Sequence, residues 1–86
     1  MERLIIHAVV EYTFNGDYTK SGNYVAFFKD EDAAHKDAKE RALKSLACVR
    51  EHHPLADLIK VGTAYKIDYN DGSYIDGTAV HSILVQ

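Results

Sequence analysis

The residues of this 86-residue chain that could take part in metal chemistry are one cysteine and five histidines. Cys48 and His52 are four positions apart, which places them one turn apart on a helix, and His53 follows directly. A thiolate and an imidazole at that spacing could supply two ligands to Zn²⁺. Because no second cysteine and no HxxxH motif accompanies them, we expect no metal and no cofactor. The competing interpretation makes Cys48 a small core residue and places both histidines at the negative end of a helix.

His81 is the histidine that could act as a general acid or base. Tyr65 or Asp68 on a neighbouring strand could orient its imidazole ring. A glycine-rich phosphate loop and a nucleophile elbow are both missing from the sequence. A neutral, hydrogen-bonded core histidine is the more usual role, so we predict that the protein is not an enzyme. A small hydrolase remains the alternative.

Three aspartates, Asp68, Asp71 and Asp76, gather around a predicted hairpin near the end of the sequence. With Lys66 they could suit a metal-dependent nuclease, but the surrounding residues form no recognisable motif. Aspartate and glycine are also what turns require, which is sufficient to explain Asp71. We predict that the three carboxylates form an acidic patch that binds a basic protein surface.

Composition excludes several classes of function. Ten lysines and arginines against thirteen aspartates and glutamates give a net charge of −3, which disfavours nucleic-acid binding because that binding depends on clustered cations. A single cysteine cannot form an internal disulfide, which predicts a reducing, cytoplasmic location. No apolar run approaches the ~18 residues that a membrane-spanning helix needs.

The first element that must position these residues is a hairpin over residues 3–29. Residues 4–14 alternate, and the even-numbered set from Leu4 to Phe14 is the more apolar, so we expect it to face the core. Asn15-Gly16 is a strong two-residue turn signal that pairs Phe14 with Asp17. A bulge near Gly22 would then set Ala8 against Tyr24 and keep the apolar residues together. A longer irregular loop over 15–23 is the alternative.

A helix is predicted over residues 30–53. Asp30 is a good N-cap, and Pro54 cannot continue the helix. Apolar residues recur at helical spacing and make a stripe that is mostly alanine; they are Ala34, Ala38, Ala42, Leu46 and Val49.

A second hairpin is predicted over residues 57–86. Odd positions from Ile59 to Tyr69 are apolar or aromatic, apart from Thr63, which indicates one long strand, and Asn70-Asp71-Gly72 marks a loop. A three-residue loop pairs Ile67 with Ile75, and it sets Tyr65 against Gly77, Val61 against His81 and Ile59 against Ile83. The predicted fold is therefore a single two-layer α+β domain over residues 1–86, of ββαββ order, with one antiparallel four-stranded sheet and one helix on a face. The sequence leaves the strand order open.

The size of these elements predicts a protein partner. One slim, alanine-lined helix brings too little apolar volume to cover a four-stranded sheet, and the outer face also carries apolar residues. We predict that this outer face binds a partner; its residues are Ile5, Val9, Val25, Phe27, Val80 and Leu84. The predicted function is a protein–protein interaction module that forms a homodimer, or that regulates or inhibits a larger protein. The alternative is a small-ligand or nucleic-acid binder, with a pocket lined by Tyr12, Tyr65 and His81 between sheet and helix or between subunits.

Overall fold

A computed structural model describes residues 3–14 and 20–85 and shows five strands and one helix. The elements are β1 (Leu4–Phe14), β2 (Lys20–Phe28), α1 (Glu31–Arg50), β3 (Asp57–Val61), β4 (Ala64–Asp68) and β5 (Tyr74–Val85). The strands form one antiparallel sheet in the order β2-β1-β5-β4-β3, and α1 packs on one side of it. The predicted α+β class, with one helix and one antiparallel sheet, is confirmed, but the sheet has five strands instead of four.

The additional strand arises at Gly62-Thr63. The chain reverses there, so that Val61 lies opposite Ala64, and Gly62 adopts a φ of 61° that favours glycine. The predicted pairing of Ile67 with Ile75 is confirmed. The pairings of Val61 with His81 and of Ile59 with Ile83 are wrong, because β3 folds back on β4. The second half of β5 is thereby left to pair with β1.

The second hairpin also contains a bulge at Gly77. Tyr65 lies opposite Thr78 and Lys66 opposite Asp76, so Gly77 is the extra residue in β5. A Cβ atom at this position would lie 3.0 Å from the backbone oxygen of Tyr65. Glycine thus permits the close approach of the two strands, and the predicted pairing of Tyr65 with Gly77 is displaced by one residue.

The first hairpin differs from the prediction in its register. The predicted Asn15-Gly16 turn lies outside the described residues, but Phe14 lies opposite Lys20, which excludes its pairing with Asp17. The register shifts near Val25 and not near Gly22, and Ala8 lies opposite Phe27. This register decides which side chains of β2 share a side of the sheet with those of β1.

The structure reverses the predicted assignment of the two sides of the sheet. Val9 and Val80, predicted to face outward, are buried against the alanines of α1. Glu11 also points to the helix side, since its carboxylate lies 4.0 Å from Arg41. Both alternating sets of β1 contain large apolar residues, so alternation alone could not tell which set the helix covers.

The helix begins as predicted and ends earlier. The Asp30 side chain accepts a hydrogen bond from the Asp32 amide at 3.2 Å, and Asp37 and Arg41, one turn apart, form an ion pair at 2.7 Å. The last helical residue is Arg50, and not His52 or His53. The Arg50 Nε donates to the backbone oxygen of Ala56 at 2.8 Å, which ties the end of the helix to the segment that enters β3.

The contact between helix and sheet is built on small side chains. Ala34, Ala38 and Ala42 have no exposed surface, and they pack against Val9 and Val80. The Thr78 hydroxyl donates to the backbone oxygen of Ala38 at 2.7 Å. This direct bond from a strand side chain to the helix backbone is possible only because no larger side chain separates the two layers.

A larger residue in the stripe should therefore destabilise the fold. We expect Ala38→Leu to lower the free energy of unfolding by about 1–3 kcal/mol, because the added atoms have no space between helix and sheet. Ala47→Leu is the matched control, since Ala47 is exposed on the same helix, and it should change stability by less than about 0.5 kcal/mol. Urea denaturation followed by circular dichroism measures both, and equal stability of the two variants would contradict the tight contact.

Candidate interaction surface

The side of the sheet that α1 does not cover carries a continuous apolar region. Residues directly opposite in neighbouring strands share a side, so one row consists of Phe27, Ala8 and His81. The next row, two residues along β1, runs across all five strands and consists of Tyr24, Val10, Ala79, Ala64 and Val61. We call these two rows, together with Leu4, Ile6, Ile83 and Val85 further along β1 and β5, the apolar face.

The middle of the apolar face consists of small side chains, and the part on β2 consists of large aromatic side chains. Ala8 is fully buried, and Val10 and Ala79 are buried as well, although the one helix of the described residues lies on the other side of the sheet. The exposed Tyr24 and Phe27 on β2 lie next to these small side chains of β1, with their ring centroids 5.8 Å apart. Tyr24 and Phe27 are 56% and 60% exposed, so β2 presents large aromatic residues to solvent on this side of the sheet.

Strands β1 and β5 extend beyond the rest of the sheet as a two-stranded ribbon. Pairing of β1 with β2 ends at His7 opposite Phe28, and pairing of β5 with β4 ends at Ala79 opposite Ala64. We call residues 4–6 and 83–85 the β1–β5 ribbon. Both of its edges lack a neighbouring strand among the residues that the structure describes.

The β1–β5 ribbon is apolar on both sides. Leu4 and Val85 share the helix-free side and are 43% and 41% exposed. Ile5 and Leu84 share the opposite side and are 46% and 48% exposed. An isolated two-stranded ribbon is marginally stable in water at best. This ribbon therefore presents apolar surface that a contact with another molecule could bury.

The overall dimensions show the same elongation. The molecule measures 51 × 26 × 19 Å, with a radius of gyration of 14.2 Å. A compact chain of this length has a radius of gyration of about 12 Å. The excess shows that the molecule is elongated.

Charge is segregated to the other end of the helix-free side. Within the described rows, the apolar face contains no aspartate, glutamate, lysine or arginine. Lys66 and Asp76 lie beyond it and pair at 3.5 Å, and the Lys66 Nζ also lies 4.6 Å from the centre of the Tyr74 ring. His81 lies on the apolar face and makes an edge contact with Tyr24, with 6.3 Å between the ring centroids.

The three carboxylates of the predicted acidic patch bind to groups of their own hairpin. Asp68 accepts a hydrogen bond from the Asn70 amide at 2.9 Å, and Asp71 accepts bonds from the amide and the hydroxyl of Ser73. The bonds from Ser73 lower the pKa of the Asp71 carboxyl. Since Asp76 pairs with Lys66, all three carboxylates have partners within their own hairpin.

The residues of the alternative pocket do not come together. Tyr65 lies on the helix side, 6% exposed, and its hydroxyl is hydrogen-bonded to the His35 Nδ1 at 3.1 Å. Burial raises the pKa of the Tyr65 hydroxyl. Tyr12 lies on the helix-free side beside Val10, and His81 is exposed on that same side, not inward as predicted. The sheet therefore separates Tyr65 from the other two, and the three do not line a common pocket between sheet and helix.

The residues considered as metal ligands, Cys48, His52 and His53, lie at the exposed end of the helix. Cys48 is exposed, so its interpretation as a core residue is also wrong. The His53 ring contacts the Tyr69 ring at 4.7 Å, and His52, His53 and Tyr69 line part of a shallow cleft of about 240 Å³. Within residues 3–14 and 20–85, no three histidine, cysteine or acidic side chains are placed to hold a metal ion.

The structure therefore keeps part of the predicted partner surface and replaces part of it. Ile5, Val25, Phe27 and Leu84 are exposed as expected, whereas Val9 and Val80 are buried and cannot contact a partner. The predicted pairing with Ala8 put Tyr24 on the core side of the sheet, and the predicted partner surface did not include Leu4 or Val85. The side that the helix covers was the missing information, because Tyr24 shares a side with the even-numbered residues of β1 in both registers, and the helix covers the odd-numbered Val9 instead.

Comparison with known proteins adds no assignment: no protein family, no curated protein and no solved structure matches this chain. Among the described residues, no helix has the length and apolar character needed to cross a membrane.

The hydrogen bonds around Asp71 lead to a prediction about pH. Replacing Ser73 with alanine removes the hydroxyl donor, so the pKa of the Asp71 carboxyl should rise toward its ordinary value. Because the folded-state pKa is the lower one, the ionised carboxyl stabilises the fold above its unfolded-state pKa, and this contribution is lost as the pH falls through the folded value. NMR titration of the Asp71 carboxyl carbon measures this pKa. Ser73→Thr, which keeps the hydroxyl, should retain the lowered pKa of the wild-type protein. An unchanged titration in Ser73→Ala would show that the hydroxyl does not lower the pKa.

Proposed function

We propose that this protein is a non-catalytic interaction module that binds a protein surface through the apolar face and the β1–β5 ribbon. The observation that carries the proposal is the ribbon, whose exposed Leu4, Ile5, Leu84 and Val85 cover both of its sides. Exposed apolar surface of this extent and continuity is typical of a contact site with another macromolecule. The module regulates its partner by occupying part of the partner's surface, and inhibition is the simplest form of such regulation.

The edges of the sheet are less suited to binding than its face. β2 is one edge, and its register shift near Val25 interrupts the regular ladder that an added strand would need. β3 is the other edge, and it is only five residues long and carries an exposed lysine, Lys60. Short strands, lysines and bulges are the features that protect sheet edges from pairing with other chains. The proposal therefore assigns binding to side chains of the face and not to backbone pairing.

The location that we propose is the cytoplasm. Cys48 is an exposed thiol and the sole cysteine of the chain. Free thiols persist in reducing compartments, whereas proteins of oxidising compartments usually pair their cysteines.

A second candidate function is the binding of single-stranded nucleic acid. The observation that favours it is the pair of exposed rings, Tyr24 and Phe27, because unpaired bases stack on aromatic side chains of sheet surfaces. Against it stands the lack of cationic side chains in the described rows of the apolar face, since backbone phosphates need lysine or arginine nearby.

An oligonucleotide titration separates the two candidates. We expect no binding of a fluorescent single-stranded oligonucleotide at low ionic strength, because the described rows of the apolar face contain no lysine or arginine. Fluorescence anisotropy over a range of salt concentrations measures this. Binding that weakens with added salt and is lost in Tyr24→Ala would replace the interaction module with the nucleic-acid function.

The proposed function itself is tested with a charge placed on the face. The wild-type protein, immobilised and exposed to a lysate of the organism that encodes it, should retain a specific protein, and Phe27→Lys should lose it because an ammonium group would be buried against an apolar surface. Leu55→Lys is the matched control, because Leu55 is 77% exposed and lies outside the apolar face, so this variant should retain the same protein. Equal retention by Phe27→Lys would contradict the assignment of the binding surface. In that experiment a second copy of the chain counts as a retained protein, which a differently tagged copy added to the lysate reveals.

A further inference from the structure

We infer that the second half of β5 binds an extended segment of a partner protein, which adds to the sheet as a further strand. The part of β5 concerned consists of residues 81–85, and we call it the open edge. This contact goes beyond the proposed function, which assigns binding to side chains, because the open edge binds the backbone of the partner. The outer strands β2 and β3 are unsuited to such pairing, and the open edge differs from both of them.

The hydrogen bond at the start of the open edge shows which of its backbone groups point away from β1. The Val80 amide donates to the backbone oxygen of Thr63 at 2.9 Å, so the backbone of Val80 points away from β1. This direction alternates along a strand, so the amides and carbonyls of Ser82 and Leu84 also point away from β1. Among the described residues no strand lies beside them, because the pairing of β4 with β5 ends at Ala79. An extended backbone is the chemical group that matches such a row of donors and acceptors.

The open edge lacks the features that protect β2 and β3. Its sequence, His-Ser-Ile-Leu-Val, contains no lysine, no acidic residue and no proline. The pairing of β5 with β1 continues through residues 81–85 without a register shift, so no bulge interrupts the edge. Edges without such features are the ones that pair with other chains. Five residues at ~3.4 Å give the added strand about 17 Å of edge to bind.

The side chains of the open edge define the chemistry of the partner. Val85 lies on the helix-free side and is 41% exposed, and Leu84 lies on the opposite side and is 48% exposed. Residues of an added strand lie directly beside these side chains on both sides of the sheet. The β1–β5 ribbon also offers no charged side chain to pair with a charge on the partner. The partner segment is therefore extended, uncharged where it pairs, and apolar on both of its sides.

The sequence of β1 supplies a probe of this chemistry. Residues 4–8 pair with residues 81–85 from the other edge of β5, so their side chains suit both sides of this strand. The probe is a synthetic peptide with the sequence of residues 3–9 and blocked ends. Its matched control carries methyl groups on the amide nitrogens that correspond to Ile5 and His7. In the register that β1 uses, these two amides lie opposite Leu84 and Ser82 and form the bonds to the open edge.

Amide hydrogen exchange followed by NMR tests the inference. In the protein alone, the amides of Ser82 and Leu84 should exchange at least about 10-fold faster than those of His81 and Ile83, which point toward β1. Saturating peptide should slow the exchange of Ser82 and Leu84 at least about 10-fold, and the methylated peptide should not. Slow exchange of these two amides without peptide, or unchanged exchange with it, would overturn the inference. A peptide that replaced β1 would also leave their exchange unchanged.

Leu84→Pro tests the same contact from the side of the protein. Proline removes the amide that points away from β1 and keeps the bonds between β5 and β1, a substitution that sheets accept at edges. The variant should keep the circular dichroism spectrum of the wild-type protein, and its Kd for the peptide, measured by NMR titration, should be at least about 10-fold higher. Leu84→Ala is the control, since it removes the side chain and keeps the amide, and it should bind more tightly than Leu84→Pro.

Equal affinity of Leu84→Pro and the wild-type protein would overturn the inference. If Leu84→Pro does not fold, the methylated peptide makes the same comparison on the wild-type protein.

The proposed function and this inference fail separately. Retention of the lysate protein by Phe27→Lys removes the assignment of the apolar face, whereas the exchange of Ser82 and Leu84 does not depend on Phe27. Unchanged exchange in the presence of the peptide removes the added strand and leaves the interaction module in place.

Discussion

The structure depends on the close contact between the alanine stripe of α1 and the middle of the sheet. Three alanines without exposed surface let the helix backbone accept a hydrogen bond directly from Thr78. Such a contact is tight but narrow, and it occupies one side of the sheet only. A single helix of 20 residues is about 30 Å long, whereas the 12 residues of β5 span about 40 Å. The strands are therefore longer than their cover, and the other side of the sheet has no cover among the described elements.

The pairing of β1 with β5 determines where the surface that the helix leaves uncovered lies. The reversal at Gly62-Thr63 removes β3 from β5, and the second half of β5 is then free to bind β1 along eight consecutive residue pairs. This pairing places apolar residues of both strands in common rows, and it carries their ends beyond β2 and β4. One tight turn thereby determines where the β1–β5 ribbon and the apolar face lie.

Most of the side chains considered for catalysis or binding contact other parts of the fold. Asp68 and Asp71 hold the turn between β4 and β5, and Tyr65 is bonded to His35 between helix and sheet. His81 is exposed on the apolar face, on the other side of the sheet from Tyr65. With these groups used in turns and packing, the surface that remains for function is distinguished by shape and lack of charge.

The sequence by itself determined the elements that depend on local signals. Asp30 and Pro54 bracket the helix, the alanine spacing identifies its buried stripe, and Asn70-Asp71-Gly72 sets the register of Ile67 with Ile75. Only the tertiary structure decided which side of β1 the helix covers, because both alternating sets of β1 residues contain large apolar side chains. The assignments of Val9, Val80 and His81 depended on that choice and on the break at Gly62. An alternating pattern states that two faces differ, but the packing of distant segments decides which face is buried.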